Sequence, residues 1–276
     1  MIDDNIFKIL ACPNCKCNLI EFTDKLFCQS CKTYFNIING VPLFLENDSF
    51  SLHETFAADK SKFIKIFKKY LPNISLTTIV DKSIFNYISS LNNDEIVLNL
   101  GSGIGRFDYL IKHQKIINLD ISLYPGVNII ADGHKLPIKS NSIGCVYSNA
   151  VLEHVARPWI VADEIYRVLK DNGIVCINVP FLNVIHEVYD FYRFTPQGLK
   201  ILFHKFDEIK SGISSGPSSF ITYFIPEFVS LFFPTSFIRN LIKDLFSILF
   251  YPLKYLDHFI KKRDRFKVIA TSFYFI

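Results

Sequence analysis

The sequence predicts an α/β fold: a doubly wound sheet of seven strands, preceded by a small four-cysteine module and interrupted before its last strand by a hydrophobic helical insertion. Three observations lead there. From Glu95 onward, short β-branched apolar runs alternate with stretches of helical periodicity, the pattern of βα units in a parallel sheet. The first of those runs closes on Gly101, Gly103 and Gly105. Ahead of it stand Cys12, Cys15, Cys28 and Cys31, spaced C-x2-C-x12-C-x2-C.

A chain of 276 residues, 50% of them hydrophobic, buries one substantial core and has room for a small extra module. A net charge of +4 is too mild to argue for nucleic acid by itself. The opening MIDDNIFKIL is acidic and its apolar run is too short for a cleavable signal, so a cytoplasmic location is expected. In that compartment the 7 cysteines point to metal or core packing before disulfides. The expected organisation is a cysteine module over 1–46, a helical connector over 47–93, and a catalytic domain over 94–276 that carries an insertion at 217–263.

Each C-x2-C knuckle sets two thiolates on one turn, and two knuckles face to face make a tetrahedral cage for Zn2+. Such a closed site is structural, since no position stays open for chemistry. Cys17 falls outside the paired spacing and is expected free, while Cys145 and Cys176 lie inside apolar strands and belong to the core. The frame ILACPNCKCNLI followed by LFCQSCKTYFNIINGVPLFL, Ile9 to Leu45, resembles the zinc-ribbon family that includes an activator subunit of tRNA methyltransferases. That resemblance implies a platform for a substrate or partner. In the connector, KSKFIKIFKKY has the spacing of a basic amphipathic helix with its lysines on a solvated face, and TTIVDKSIFNYISSL that of a second helix.

Ile96, Val97, Leu98 and Leu100 form the first strand of the sheet. The glycines after it let the chain turn tightly and let a ligand lie against bare backbone at a helix N-terminus. A dinucleotide fold wants G-x-G-x-x-G, but the third position here is Arg106. The helix then spans Ile104–His113, and KIINLD is a second strand ending in Asp120, about 20 residues beyond the glycines, where an acid meets ribose hydroxyls.

The G-x-G-x-G pattern closing an apolar strand resembles the first motif of class I S-adenosylmethionine-dependent methyltransferases, and the resemblance extends from Glu95 to Leu202. It implies a Rossmann-like seven-stranded methyltransferase sheet and S-adenosylmethionine as cofactor. In VNIIAD and ADGHKLPI it places Asp132 at the adenine amino group, with Gly133 and His134 beside it. In SIGCVYSNAVLEHV it places Ser148, Asn149 and Ala150 beside the methyl group. Asn99 stands where the family usually has Asp or Glu to hold the cofactor's amino group, leaving that task to an amide or to water. A helix over Trp159–Lys170 closes at Asp171-Asn172-Gly173, and GIVCINVPF is the fifth strand. Phe206–Ile213 and Phe266–Ile276 read as the sixth and seventh.

Between those last two strands, apolar residues at near-helical spacing are broken by Glu227, Arg239, Lys243, Asp244 and Lys254, so no run spans a bilayer. Arg239 to Lys267 carries eight Lys or Arg against three Asp. Basic and amphipathic together suggest peripheral contact with anionic lipid, and a lid or homodimer face is the alternative.

Methyl transfer is an in-line displacement that mainly needs positioning and, for a hydroxyl acceptor, a base. His186 is the preferred base and His154 the second. Pro180 to Leu199 leaves the fifth strand at its carboxyl end and gathers Tyr189, Asp190, Tyr192 and Arg193, residues suited to a polar acceptor. Its H-x2-Y-D-[FYW]-x-R-[FY]-T run resembles methyltransferases encoded among bacterial surface-polysaccharide genes, which implies a glycan, a lipid-linked precursor or another small molecule as acceptor. An ion pair between Asp190 and Arg193 holding a lid is the structural alternative. RNA methylation, with the ribbon as RNA platform, is the competing function; against it stand the weak net charge and SNAV in place of an N-P-P-[FY] motif.

Overall fold

The computed structural model describes residues 2–45, 82–105, 111, 115–185, 187–260 and 263–276. The basic helix expected around residues 60–70 lies outside the described residues, as does most of the helix expected at Ile104–His113.

The β-branched runs form a parallel sheet whose central strands are covered on both faces: every residue of β5 (Val97–Leu100) is buried, and so is nearly all of β8 (Ile143–Asn149). Beside β5 lie β6 (Ile116–Asp120) and β7 (Ile129–Ile130); beyond β8 lie β9 (Leu169–Pro180), β11 (Ser272–Phe275) and β10 (Ser211–Ser215). The strand order β7-β6-β5-β8-β9-β11-β10 is parallel except for β11, which runs antiparallel between its neighbours. The chain winds one way from β5 and then the other, so the switch point lies between the carboxyl ends of β5 and β8, where ligands of such sheets bind.

The cysteine module is continuous with this sheet. Its strands β1 (Ile20–Glu21), β2 (Lys25–Cys28), β3 (Thr33–Ile38) and β4 (Val41–Leu43) form an antiparallel meander, and β4 then pairs in parallel with β7 through Leu43 and Ile130. One sheet of eleven strands results. After α1 (Asp4–Ile9), capped by the Asp3 carboxylate, Leu10 bridges Ile138, and Lys16 Nζ reaches Leu136 O at 3.2 Å and Glu164 Oε2 at 2.8 Å. Burial opposes the ionised Glu164 carboxylate, yet Arg167 and Lys16 hold its pKa below the ordinary range. Leu10, Leu26 and Phe35 of the module share one core with Leu136, Ile138 and Leu98. That shared apolar burial fixes the module against the larger domain.

In α2 (Ser83–Ser89), Ile84, Phe85 and Ile88 are buried beneath β5 and β8, with Phe85 edge-on to Tyr147 at 5.7 Å. The helix α3 (Pro158–Val168) ends earlier than its glycine stop implies. Leu169 is already strand, paired with Ile143 and buried, and the turn at Asn172 (φ 61) falls inside β9. The register that buries Leu169 outweighs the local stop signal. The sixth strand is shifted to Ser211–Ser215, because Phe206 turns into an aromatic cluster with Phe203 and Tyr166. The seventh shortens to Ser272–Phe275, and Asp264–Ile269 is a 3-10 turn. After β9, α4 (Pro196–Leu202) is capped by Thr195; after β10, the insertion forms α5 (Pro217–Ser230) and α6 (Ser236–Phe250). Among the described residues, no helix is long and apolar enough to cross a membrane.

Candidate functional site

The four cysteine sulfurs lie within 4.8 Å of one another, Cys12 Sγ 3.8 Å from Cys31 Sγ and Cys15 Sγ 3.4 Å from Cys28 Sγ. A tetrahedral Zn2+ with bonds of about 2.3 Å sets its sulfurs just under 4 Å apart, so the cluster fits that ion. The residue after each knuckle, Lys16 (φ 62) and Lys32 (φ 57), is left-handed, which closes the two turns in the same way. Hydrogen bonding to Cys31 lowers the Cys15 thiol pKa, while the return bond raises that of Cys31. Cys17 is exposed, and Cys145 and Cys176 are buried between strands.

At the switch point, Gly101 (φ 71), Gly103 (φ 54) and Gly105 (φ 68) all take left-handed backbone. A Cβ on Gly101 would stand 2.2 Å from Val151 Cγ2, so that glycine is fixed by contact as well as by torsion. The Asp120 carboxylate at the end of β6 accepts from the Gly103 amide at 2.7 Å and the Ser122 amide at 2.9 Å. It shapes the glycine turn directly. Asn99 is buried and donates to Asn118 Oδ1 at 3.0 Å across β5 and β6. Asp132 caps the 3-10 turn Gly133–Lys135 and meets His134 Nδ1 at 2.6 Å, and Gly133 lies against Val161. Asn149 ends β8 and accepts from Asn178 Nδ2 at 2.6 Å; Ala150 follows with φ 54, strained for a residue with a Cβ.

Seven buried side-chain polar atoms lack a hydrogen-bond partner among the described residues: Ser102 Oγ, His134 Nε2, Ser148 Oγ, both Glu153 carboxyl oxygens, Asn178 Oδ1 and Arg239 Nε. All but the last lie at the carboxyl ends of β5, β7, β8 and β9 or in the turns that follow. A buried polar atom without a partner costs about 1–3 kcal/mol, so a cluster of them at one end of the sheet calls for an explanation.

Residues 181–185 and 187–195 form a strap without helix across the turn after β8. The Phe191 and Tyr192 amides donate to Glu153 O at 2.7 and 3.3 Å, Tyr192 OH donates to Ala156 O at 3.0 Å, and His154 Nδ1 lies 2.6 Å from Tyr189 O. A carbonyl partner sets Nδ1 as donor and leaves Nε2 as the basic nitrogen. The Arg193 guanidinium binds Asp190 through both nitrogens and also takes Tyr192 O and Val184 O. Asp190 and Arg193 therefore hold the strap's shape, as an ion pair within an extended loop. Tyr189 is exposed, and its ring leads a chain of aromatic contacts through Phe191 and Tyr192 to Phe194. His186 lies outside the described residues.

Sequence reasoning passed over Glu153, although it stands inside V-L-E-H-V. It is fully buried, and burial lifts its carboxyl from 4.5 to about 8, with Arg193 offsetting part of the shift and Asp190 and Glu187 adding to it. Asn178 was also passed over; a lone amide inside the apolar run GIVCINVPF was its available signal.

Residues 98–177 match the family described as a methyltransferase domain. The chain is 39% identical over 54 residues to an uncharacterised methyltransferase of Mycobacterium tuberculosis, covering 20% of this chain and 21% of that protein. It is 32% identical over 152 residues to an uncharacterised protein of Methanocaldococcus jannaschii, covering 49% of this chain and 66% of that one. The chain thus spans about a fifth of the mycobacterial relatives' length. Solved structures with a similar fold include a Haloferax volcanii complex of the Trm112 methyltransferase activator with a putative methyltransferase, at TM-score 0.43 and 18% identity over 49% of this chain and 71% of that one. Another is phosphoethanolamine N-methyltransferase 2 of Haemonchus contortus, in complex with S-adenosyl-L-methionine, at TM-score 0.46 and 14% identity over 79% and 57%.

Proposed function

We propose that this chain, whose residues 98–177 are a methyltransferase domain, binds S-adenosylmethionine at the β5–β8 switch point and transfers its methyl group to a small polar acceptor held under the strap. The observation that carries the reading is the cluster of unpartnered buried polar atoms at the carboxyl ends of β5, β7, β8 and β9. The cofactor supplies a methyl group on a positively charged sulfur, and the chain supplies position. Gly101, Gly103 and Gly105 offer bare backbone, Asp120 the ribose contact, Asp132 and Gly133 the adenine edge, and Asn99 and Asn149 amides to the amino-acid part. The strap sets the acceptor in line, and His154 Nε2 accepts the proton of a hydroxyl or amine; His186, within the same stretch of sequence, is the other candidate base.

The four cysteines would hold a structural Zn2+, which would tie the two knuckles together. For the acceptor we favour a surface-glycan or lipid-linked precursor. The aromatic chain on the strap offers flat faces for a sugar ring, and the H-x2-Y-D-[FYW]-x-R-[FY]-T resemblance points the same way. RNA is the second reading. The ribbon turns outward Phe22 and Tyr34, with Phe27 stacked on Tyr34 at 4.5 Å and Lys25 and Lys32 exposed nearby, a pattern able to stack bases.

Transfer of tritiated methyl from labelled cofactor into fractionated cell extract tests both. Label in the lipid-linked glycan or small-molecule fraction supports the first reading, and label in RNA replaces it with the second. No cofactor binding by calorimetry would overturn both.

A further inference from the structure

Residues 217–270 leave the sheet and return to it at one corner. Gly216 follows β10, and Thr271 closes the excursion by donating its amide to Ser215 O at 2.9 Å and its hydroxyl to Gly216 O at 2.7 Å. At the same corner the strap begins, with the Phe181 amide on Thr271 O at 2.8 Å and the Leu182 amide on Ala270 O at 3.3 Å. Because β10 runs parallel to β9, this corner is at the carboxyl end of the sheet. The insertion and the acceptor strap therefore stand side by side.

Four charged groups of the insertion help to hold it together. The buried Asp257 carboxylate caps α5, accepting from the Ser218 and Ser219 amides at 2.9 and 3.0 Å and from the Ser219 hydroxyl. Lys243 pairs with Glu227 at 2.7 Å between α6 and α5, and Lys254 sits 3.6 Å over the Tyr251 ring.

What the insertion turns outward is apolar. Phe220, Phe224, Phe228 and Phe232 form a ladder along α5 with ring centroids 5.1, 5.8 and 5.4 Å apart, ending on Phe232 at 73% exposure. Helix α6 has no buried residue, and Phe237, Leu241, Leu245 and Leu249 are exposed along one side of it. A soluble monomer rarely exposes so continuous an apolar surface without a partner.

Charge identifies the partner. Just past this surface Arg263, Arg265 and Lys267 are exposed, three cations against the one carboxylate of Asp264. Phe259 and Val268 flank them at 76% and 75% exposure. Cations beside exposed aromatic and aliphatic side chains match anionic headgroups above acyl chains.

We infer that the insertion docks this protein on an anionic lipid bilayer, α5 and α6 lying in the interface, so that the strap faces an acceptor carried by the membrane. This deepens the acceptor reading above and rests on it only for what is methylated.

The test is co-sedimentation of the full chain with vesicles of phosphatidylcholine alone or with phosphatidylglycerol added. Binding should be at least several-fold stronger to the anionic vesicles and fall steeply as salt rises from 0.1 to 0.5 M, on the order of the screening that shortens the Debye length from about 10 to 4 Å. Leu231→Ser with Phe232→Ser, both at exposed positions, should abolish sedimentation, and Arg263→Glu with Arg265→Glu should remove the preference for anionic lipid. Melting temperature and calorimetric cofactor affinity should stay at wild type in both variants, which separates failure of docking from failure of the methyltransferase reading. Equal binding to both vesicle types overturns the inference, as does a chain that sediments with neither. In the second case, a dimer mass in light scattering that the Leu231/Phe232 variant halves would assign the face to a second copy of the chain.

Discussion

Glu153→Gln probes the tightest junction of the candidate site. The Glu153 carbonyl holds the strap through the Phe191 and Tyr192 amides, while its carboxyl is fully buried without a hydrogen bond, His154 Nε2 being 3.8 Å away. Burial raises the carboxyl from 4.5 to about 8, the Arg193 charge offsets part of that, and Asp190 and Glu187 add to it. In the unfolded chain the group loses its proton near 4.5, whereas the folded protein keeps it until about 8. Between those values the folded state binds more protons, so stability falls as pH rises through the window and levels off above it. At about 1.4 kcal/mol per unit, the loss across the whole window is on the order of 5 kcal/mol. Glutamine keeps the shape and has no proton to lose. Urea unfolding at pH 5, 6, 7 and 8 should therefore show the variant gaining on wild type with each step, the gap at pH 8 reaching several kcal/mol, or on the order of 10 °C in Tm. A gap that stays constant from pH 5 to 8, or a variant less stable than wild type at pH 8, would refute the reasoning.

Other perturbations have separate readouts. Elemental analysis of protein purified without chelators should give one zinc per chain, and Cys28→Ser should lose it while Cys17→Ser keeps it. Gly103→Ala, where no atom lies within 4 Å of the new Cβ but the left-handed backbone strains alanine, should weaken cofactor binding in calorimetry roughly tenfold and cost about 1 kcal/mol of stability, whereas Gly101→Ala, driven against Val151 as well, should cost more. Arg193→Ala removes the guanidinium that meets the buried Asp190 carboxylate and should cost about 3 kcal/mol or more of stability; unchanged Tm with lost activity would instead make Arg193 an acceptor ligand. His154→Ala should lower kcat at least a hundredfold and leave cofactor affinity unchanged, and an unchanged kcat would move the base to another residue.

The central sheet and the four-cysteine cluster were legible in the sequence because both are written locally. A buried parallel strand must be apolar and β-branched throughout, so β5, β8 and β9 announce themselves, and a thiolate cage requires two knuckles at fixed spacing. The glycine turn was equally open to reading, since left-handed backbone at Gly101, Gly103 and Gly105 leaves little else to choose. Strand ends were not, because Leu169 and Phe206 were decided by partners distant in sequence, Ile143 for the first and Tyr166 for the second.

Tertiary structure alone decided three matters. It joined the cysteine module to the larger sheet, through a parallel pairing of Leu43 with Ile130 that no local pattern encodes. It turned Asp190 and Arg193 toward each other, because a buried carboxylate needs its cation more than it can await a ligand. And it left the Glu153 carboxyl buried without a hydrogen bond, a property that depends on which surfaces close over a side chain, whereas sequence reports only which side chain is there.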